Sequence, residues 1–305
     1  TNQLAEVASD RQSPANLLAR RVQLALGEAM AGARFEHVDE LMNDLWALGP
    51  RARPIDLAGV IPLGCHVACT TGRWDEADRL LLRFEIEGRR SGLPRAVWQP
   101  KAMRAALLDA EGDHDEAAAL AADAQRIGSR LDVPDAEMTF ALFTLGQHYR
   151  AGAMAQFEPL LPQVDERYRR HAIYHGFLAV AQIDAGNESG AARSLAAAAE
   201  QLRGTRSLFA PAELAISTFV ASMLGDVEVA TTLASELVPR RGRQVFLGYG
   251  GPYLGPVDWY LGMAAAAAGA NEQAHELFDS ACRSPDGGRA TCWIDAPLRH
   301  RHALR

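Results

Sequence analysis

A glycine returns along this chain at Gly32, Gly72, Gly112, Gly152, Gly186, Gly225 and Gly269, each time where two stretches of helical periodicity meet. The surrounding segments read AGARFEHV, TGRWDEAD, EGDHDEAA, AGAMAQFE, AGNESGAA, LGDVEVAT and AGANEQAH, at spacings of 40, 40, 40, 34, 39 and 44 residues. Self-similarity at ~34–47 residues marks helical solenoids, and no other feature of the sequence constrains the fold as strongly. Five residues beyond the glycine stands Ala77, Ala117, Ala191, Ala230 or Ala274, with His37 and Phe157 at that place in units one and four. A small residue there lets two helices approach closely. The glycine supplies the left-handed backbone that ends a first helix, and the Asp or Asn that often follows can cap a second.

Between the joints, Leu107, Leu108, Ala118, Leu120, Ala121 and Ala124 recur at helical intervals, and no run alternates with period two. The pattern predicts first helices near 14–31, 55–71, 95–111, 134–151, 171–185, 208–224 and 255–268. Second helices are expected near 34–48, 74–91, 114–131, 154–169, 187–203, 226–239 and 271–283. Pro54, Pro94, Pro134 and Pro211 fall at or just inside the first turns of first helices, where a missing N–H costs nothing. The expected fold is therefore all-α, a right-handed α-α superhelix of about seven helical hairpins forming a single domain over residues 1–305. Residues 240–255, RRGRQVFLGYGGPYLG, exceed the usual ~2–8-residue helix connection and read as an inserted glycine- and aromatic-rich loop. Residues 290–305 read as the start of an eighth unit without its partner helix, which suggests an excerpt from a longer protein, because solenoids need capping elements.

A formal net charge of −7 leaves no basic footprint for DNA or RNA. The most apolar stretch, Trp259 to Ala270, is interrupted by Gly262 and Gly269 and is shorter than the ~20 residues that span a bilayer. The polar N-terminal residues lack the pattern of a secretory signal, so a cytoplasmic location without membrane contact is expected. Lys101 is the only lysine, the other fixed cations being arginines, which fits a GC-rich genome. It lies in QPKA, outside any phosphate-binding loop, so ATP hydrolysis by this segment is not expected.

Several constellations bear on chemistry. Cys65-His66-Val67-Ala68-Cys69 puts two thiols and an imidazole on about one helical turn, but Cys282 and Cys292 are remote and no CxxC spacing occurs. His171 and His175 share a helical face without an HExxH glutamate, and a solvated or core-edge pair is the simpler reading. Ser189, Ser194 and Ser207 lack a GxSxG setting, and Asp113, Asp115 and Glu116 complement a helix dipole. Tyr253 occupies the third glycine's place in a would-be GxGxxG at Gly248–Gly255. An aromatic loop folded over a groove, with Tyr249 and Tyr253 closing on a ligand and Arg240, Arg241 and Arg243 facing an acidic partner, competes with a plain surface loop. No catalytic residue, metal or cofactor is assigned.

The joints, with Leu63-Gly64 before Gly72 and Leu261-Gly262 before Gly269, resemble the tetratricopeptide pattern, although most of its aromatic positions are missing and the units run longer. GPYLGPVDWYLGMAAAAAGANEQAHELFDSAC followed by ATCWIDAPLRHRHAL is similar to the end of the degenerate tetratricopeptide region of large bacterial signalling ATPases, LuxR-type regulators of the maltose-activator kind. The resemblance implies a non-catalytic sensor or scaffold region of a bacterial, actinobacterial-type transcription regulator, with ATPase and DNA-binding domains elsewhere in the full-length chain. The alternatives are a stand-alone receptor or adaptor for a peptide or partner protein and, from another class, an α/α metalloenzyme. The family's groove positions carry over to His66 and Cys69, Asp109, Phe143, Gln147 and Arg150, Phe219 and Ser222, and Trp259 and Met263. The expected ligand of that concave surface is a peptide, a protein or a small amphipathic molecule.

Overall fold

The computed structural model describes residues 14–32, 36–48, 52–203 and 208–283. Helices α1 (Pro14–Gly32) and α2 (Val38–Ala47), α3 (Pro54–Thr70) and α4 (Trp74–Ser91), and α5 (Arg95–Glu111) and α6 (His114–Arg130) form three successive pairs. Helix α7 (Asp135–Ala151) is followed by two 3₁₀ turns and the short α8 (Glu166–Arg169). The pairs then resume as α9 (Ala172–Asp184) with α10 (Glu188–Leu202), α11 (Ala210–Met223) with α12 (Val227–Leu237), and α13 (Val257–Ala267) with α14 (Asn271–Cys282). Each pair packs chiefly on itself and on the next, so the described chain is predominantly helical and built by stacking neighbours.

The joints follow the sequence closely. Gly72, Gly112, Gly152, Gly186, Gly225 and Gly269 all have φ between 67° and 98°, which side-chain-bearing residues rarely adopt. At each one the following N–H reaches back five residues, as in Arg73 to the Ala68 carbonyl at 2.8 Å and Asn187 to the Gln182 carbonyl at 2.7 Å. This bond satisfies a carbonyl that the helix end would leave unpaired. Ala77, Ala117, Ala191, Ala230 and Ala274 are buried, as a close helix approach requires. Asn187 and Asp226 cap their helices through side-chain oxygens, whereas Asp113 does not. The expected joint at Gly32 and the expected eighth unit at 290–305 run into residues 33–35 and 284–305, outside the described residues.

Two layers result. First helices such as α3, α11 and α13 are buried almost all round, while second helices such as α4 and α6 bury one face. Second helices meet the next first helix through very small side chains. A Cβ on Gly88 of α4 would lie 2.3 Å from the Ala96 carbonyl oxygen of α5, and one on Gly128 of α6 would lie 2.2 Å from the Ala136 Cβ of α7. Both members of this contact recur 40 residues on. Pro100 strips the Ala96 carbonyl of its usual intrahelical donor, and this is the carbonyl that Gly88 approaches.

Two expectations need correction. The second helix expected over 154–169 is absent: the segment forms 3₁₀ turns at Ala155–Phe157 and Leu161–Gln163 and then α8. Pro159 and Pro162 remove backbone donors and clash with the preceding turn, and Phe157 stands where five other units place alanine. The segment 240–255 is likewise more than a loop. Strands β1 (Gln244–Phe246) and β2 (Tyr253–Pro256) pair antiparallel, with Gln244 opposite Pro256, Val245 opposite Gly255, a bulge, and Phe246 opposite Tyr253. The architecture is thus a helical array around one small β-hairpin.

The small-residue contacts generate a test of opposite signs. Gly88→Ala and Gly128→Ala each overpack a backbone or Cβ contact and are expected to cost about 1–3 kcal/mol in urea unfolding. Gly59→Ala within α3, whose Cβ would meet only the Gln23 side-chain end at 3.7 Å, is expected to stabilise by roughly 0.5–1 kcal/mol.

Candidate functional site

The hairpin sits among the first helices. His66 of α3 meets the Tyr249 ring edge-on at 5.7 Å and hydrogen bonds the Gly248 carbonyl. Phe246 packs on Trp74 at 6.0 Å and on Tyr253 at 5.0 Å, and the Tyr253 hydroxyl donates to Gln244 Oε1 at 2.7 Å. Gly250 lies against Ala102 and Met103 of α5 so closely that a Cβ would stand 2.8 Å from the Ala102 Cβ. A Cβ on Gly146 of α7 would stand 2.1 Å from the Pro252 Cβ. The Tyr149 hydroxyl donates to Tyr260 at 3.4 Å, and the Tyr260 hydroxyl donates to the Leu254 carbonyl. Just before β1, the Arg240 guanidinium reaches the Met30 carbonyl of α1 at 3.5 Å.

This seat changes the meaning of the groove residues. His66, Phe143, Phe219, Tyr253, Trp259 and Met263 are buried in the core rather than lining an open surface. Phe219 and Trp259 stack at 5.6 Å, and Tyr149 meets Phe219 edge-on at the same distance. Ser222 spends its hydroxyl on the Thr218 carbonyl of its own helix. Tyr249 is half-buried over His66, so the two tyrosines hold the hairpin rather than wait for a ligand. Arg240, expected to face a partner, is buried and donates to the Glu236 and Met30 carbonyls.

Asp109, Gln147 and Arg150 do converge, around a residue that the sequence did not single out. Buried Asp109 takes a hydrogen bond from Arg150 at 3.1 Å and faces His114 Nδ1 at 3.0 Å, while Arg150 also meets His114 Nε2. Gln147 donates to the His114 carbonyl at 3.5 Å. The cluster ties α7 to the joint between α5 and α6, while the buried Arg150 Nε has no hydrogen-bond partner among the described residues. Cys65 and Cys69 are buried, and the Cys65 thiol is pushed up by its hydrogen bond with Cys69 and by burial. Among the described residues no group of three or more His, Cys, Asp or Glu side chains is placed to hold a metal ion.

A sizeable cleft lies where the fourth unit lost its second helix. It encloses about 540 Å³, with Glu166, Arg169 and Arg170 on or beside α8, Tyr174, His175 and Leu178 on α9, and Arg193, Ser194, Ala197 and Gln201 on α10. Of the expected histidine pair, only His175 faces it. His171 sits in extended backbone ahead of α9, which breaks the shared helical face. Burial lowers the His175 pKa, an effect that its contact with the Arg169 backbone partly opposes. The two prolines announced the break, but nothing in the sequence pattern announced that three elements would close around it.

Comparison with known proteins finds no family model, no curated relative and no solved structure that matches the chain. No helix among the described residues is long and apolar enough to cross a membrane.

His66 gives the seat a pH signature. Burial pulls its imidazole from 6.5 to about 4, so between these values the unfolded chain binds a proton that the folded chain refuses. Stability is full above 6.5 and falls as pH drops toward 4, by about 3 kcal/mol in all at 1.36 kcal/mol per unit. Urea titrations across this window are expected to show the fall in the native chain and a flatter profile in His66→Gln.

Proposed function

We propose that this chain is a non-catalytic binding and regulatory module, a tetratricopeptide-like right-handed superhelix belonging to a bacterial transcription regulator. In this reading the concave face works by exchanging its own hairpin for a peptide or a partner's segment. The observation that carries it is the hairpin's seat: a short extended segment lies across α3, α5, α7 and α13, held by ring contacts and close glycine approaches. Solenoids present such inner surfaces to extended ligands. The joints and the resemblance of the C-terminal segments support the regulator reading over a stand-alone receptor for a peptide or partner.

The reading has two consequences. An antibody against this segment is expected to detect a polypeptide several-fold larger than 33.0 kDa in the source cells, whereas a band near that mass favours the independent receptor. Gly146→Ala, which presses on Pro252, is expected to speed amide exchange at Tyr253–Pro256 about tenfold or more while α9 to α12 keep their protection. Placed in the chromosome, it is expected to change a defined set of transcripts, and Pro252→Gly in the same chain, by making room, to reverse part of that change. Faster exchange with unaltered transcripts overturns the regulatory reading.

A further inference from the structure

The cleft of the fourth unit has a charge balance unlike that of the chain as a whole. Among the described residues that line it, Arg169, Arg170 and Arg193 stand with Glu166 as the one carboxylate, a local excess of two positive charges in a chain with a net charge of −7. Arg170 meets Glu166 at 3.7 Å, but both side chains are about three-quarters exposed, so that pair contributes little. Among the described residues the guanidiniums of Arg169 and Arg193 have no carboxylate partner. Their donors are forked and planar, matched to phosphate oxygens. The Tyr174 phenol and the Gln201 amide add polar groups, and Leu178 and Ala197 give the cleft an apolar floor. About 540 Å³ falls within the ~300–1,000 Å³ of small-molecule sites.

We infer that this cleft binds a small organic phosphate, the dianion lying among Arg169, Arg170 and Arg193 and the organic body on Leu178 and Ala197. The inference is independent of what occupies the concave face. A phosphomonoester carries close to two negative charges at neutral pH, which the local excess balances. A monoanionic carboxylate leaves one cation unmatched, and inorganic phosphate leaves the apolar floor uncovered. The fold accounts for the site's existence, because a regular second helix in unit four would fill the space between α8, α9 and α10.

Phenyl phosphate is the probe, measured by calorimetry at low salt on the full chain. One-to-one binding is expected, weakened at least about tenfold by Arg169→Ala and by Arg193→Ala, a loss of 1.4 kcal/mol or more each. Both substitutions are at exposed positions, so helical circular dichroism is expected to stay unchanged, and Arg193→Lys is expected to retain part of the affinity. Arg126→Ala, on α6 outside the cleft, serves as the control and is expected to bind like the native chain. Benzoate or inorganic phosphate binding as tightly as phenyl phosphate overturns the inference. So does phenyl phosphate binding that both arginine variants preserve, or no binding in the millimolar range. Capture of a polyglutamate peptide with no affinity for phenyl phosphate overturns it in favour of an acidic protein partner.

Discussion

The contact between the β-hairpin and the inner helices sets this array apart from a simple stack. In a solenoid each unit touches only its neighbours, and stability is close to a sum of local terms. Here Arg240 reaches the carbonyl of Met30, 210 residues away in sequence, and Tyr149 bonds Tyr260 across 111 residues. The core cluster containing the hairpin joins residues from Ala19 of α1 to Ala281 of α14, while α6 packs in two smaller clusters around Trp98 and Phe143. Losing the hairpin exposes Val245, Leu254, Tyr253 and the faces they cover, so both ends of the array feel the same event. Close approach rather than strong bonding makes the fit specific. Gly146 and Gly250 bring backbone against Pro252 and Ala102, and a single methyl group at either place forces the hairpin to move.

What could be read in advance follows the range of the interactions. The joints are local: glycine geometry, a returning N–H and an alanine five residues on are all written within ten residues, and the structure shows the first two at six joints and the buried alanine at five of them. The loss of the second helix in unit four was also written locally, in Pro159 and Pro162. A longer signal lies beside these. Gly88 and Gly128, with Ala96 and Ala136, repeat at 40 residues because they are the contact between a second helix and the next first helix. Gly92 and Asp132 keep the same interval, and both adopt positive φ just before the proline that opens the next helix.

The hairpin was hidden for a physical reason. A strand with one face in water alternates apolar and polar residues, but every residue of β1 and β2 is buried, leaving no period of two to detect. Its glycines and aromatics marked the segment as unusual without showing which way it folds. The groove positions carried over from the resemblance meet the same close packing. Phe143, Phe219, Trp259 and Met263 face inward, as the repeat pattern implies, but the space they face is filled with protein.

The cleft and the hairpin meet in one helix. Tyr174, His175 and Leu178 of α9 line the cleft, while Phe177, on the opposite side, packs edge-on against Tyr149 at 6.3 Å. Tyr149 bonds Tyr260, which holds the Leu254 carbonyl of the hairpin. Continuity of contact alone transmits nothing, because a ligand shifts an equilibrium only by the difference in its affinity for the two states. α8 is a single turn whose Arg169 backbone faces His175 of α9, so the cleft and the hairpin share α9 as a common support.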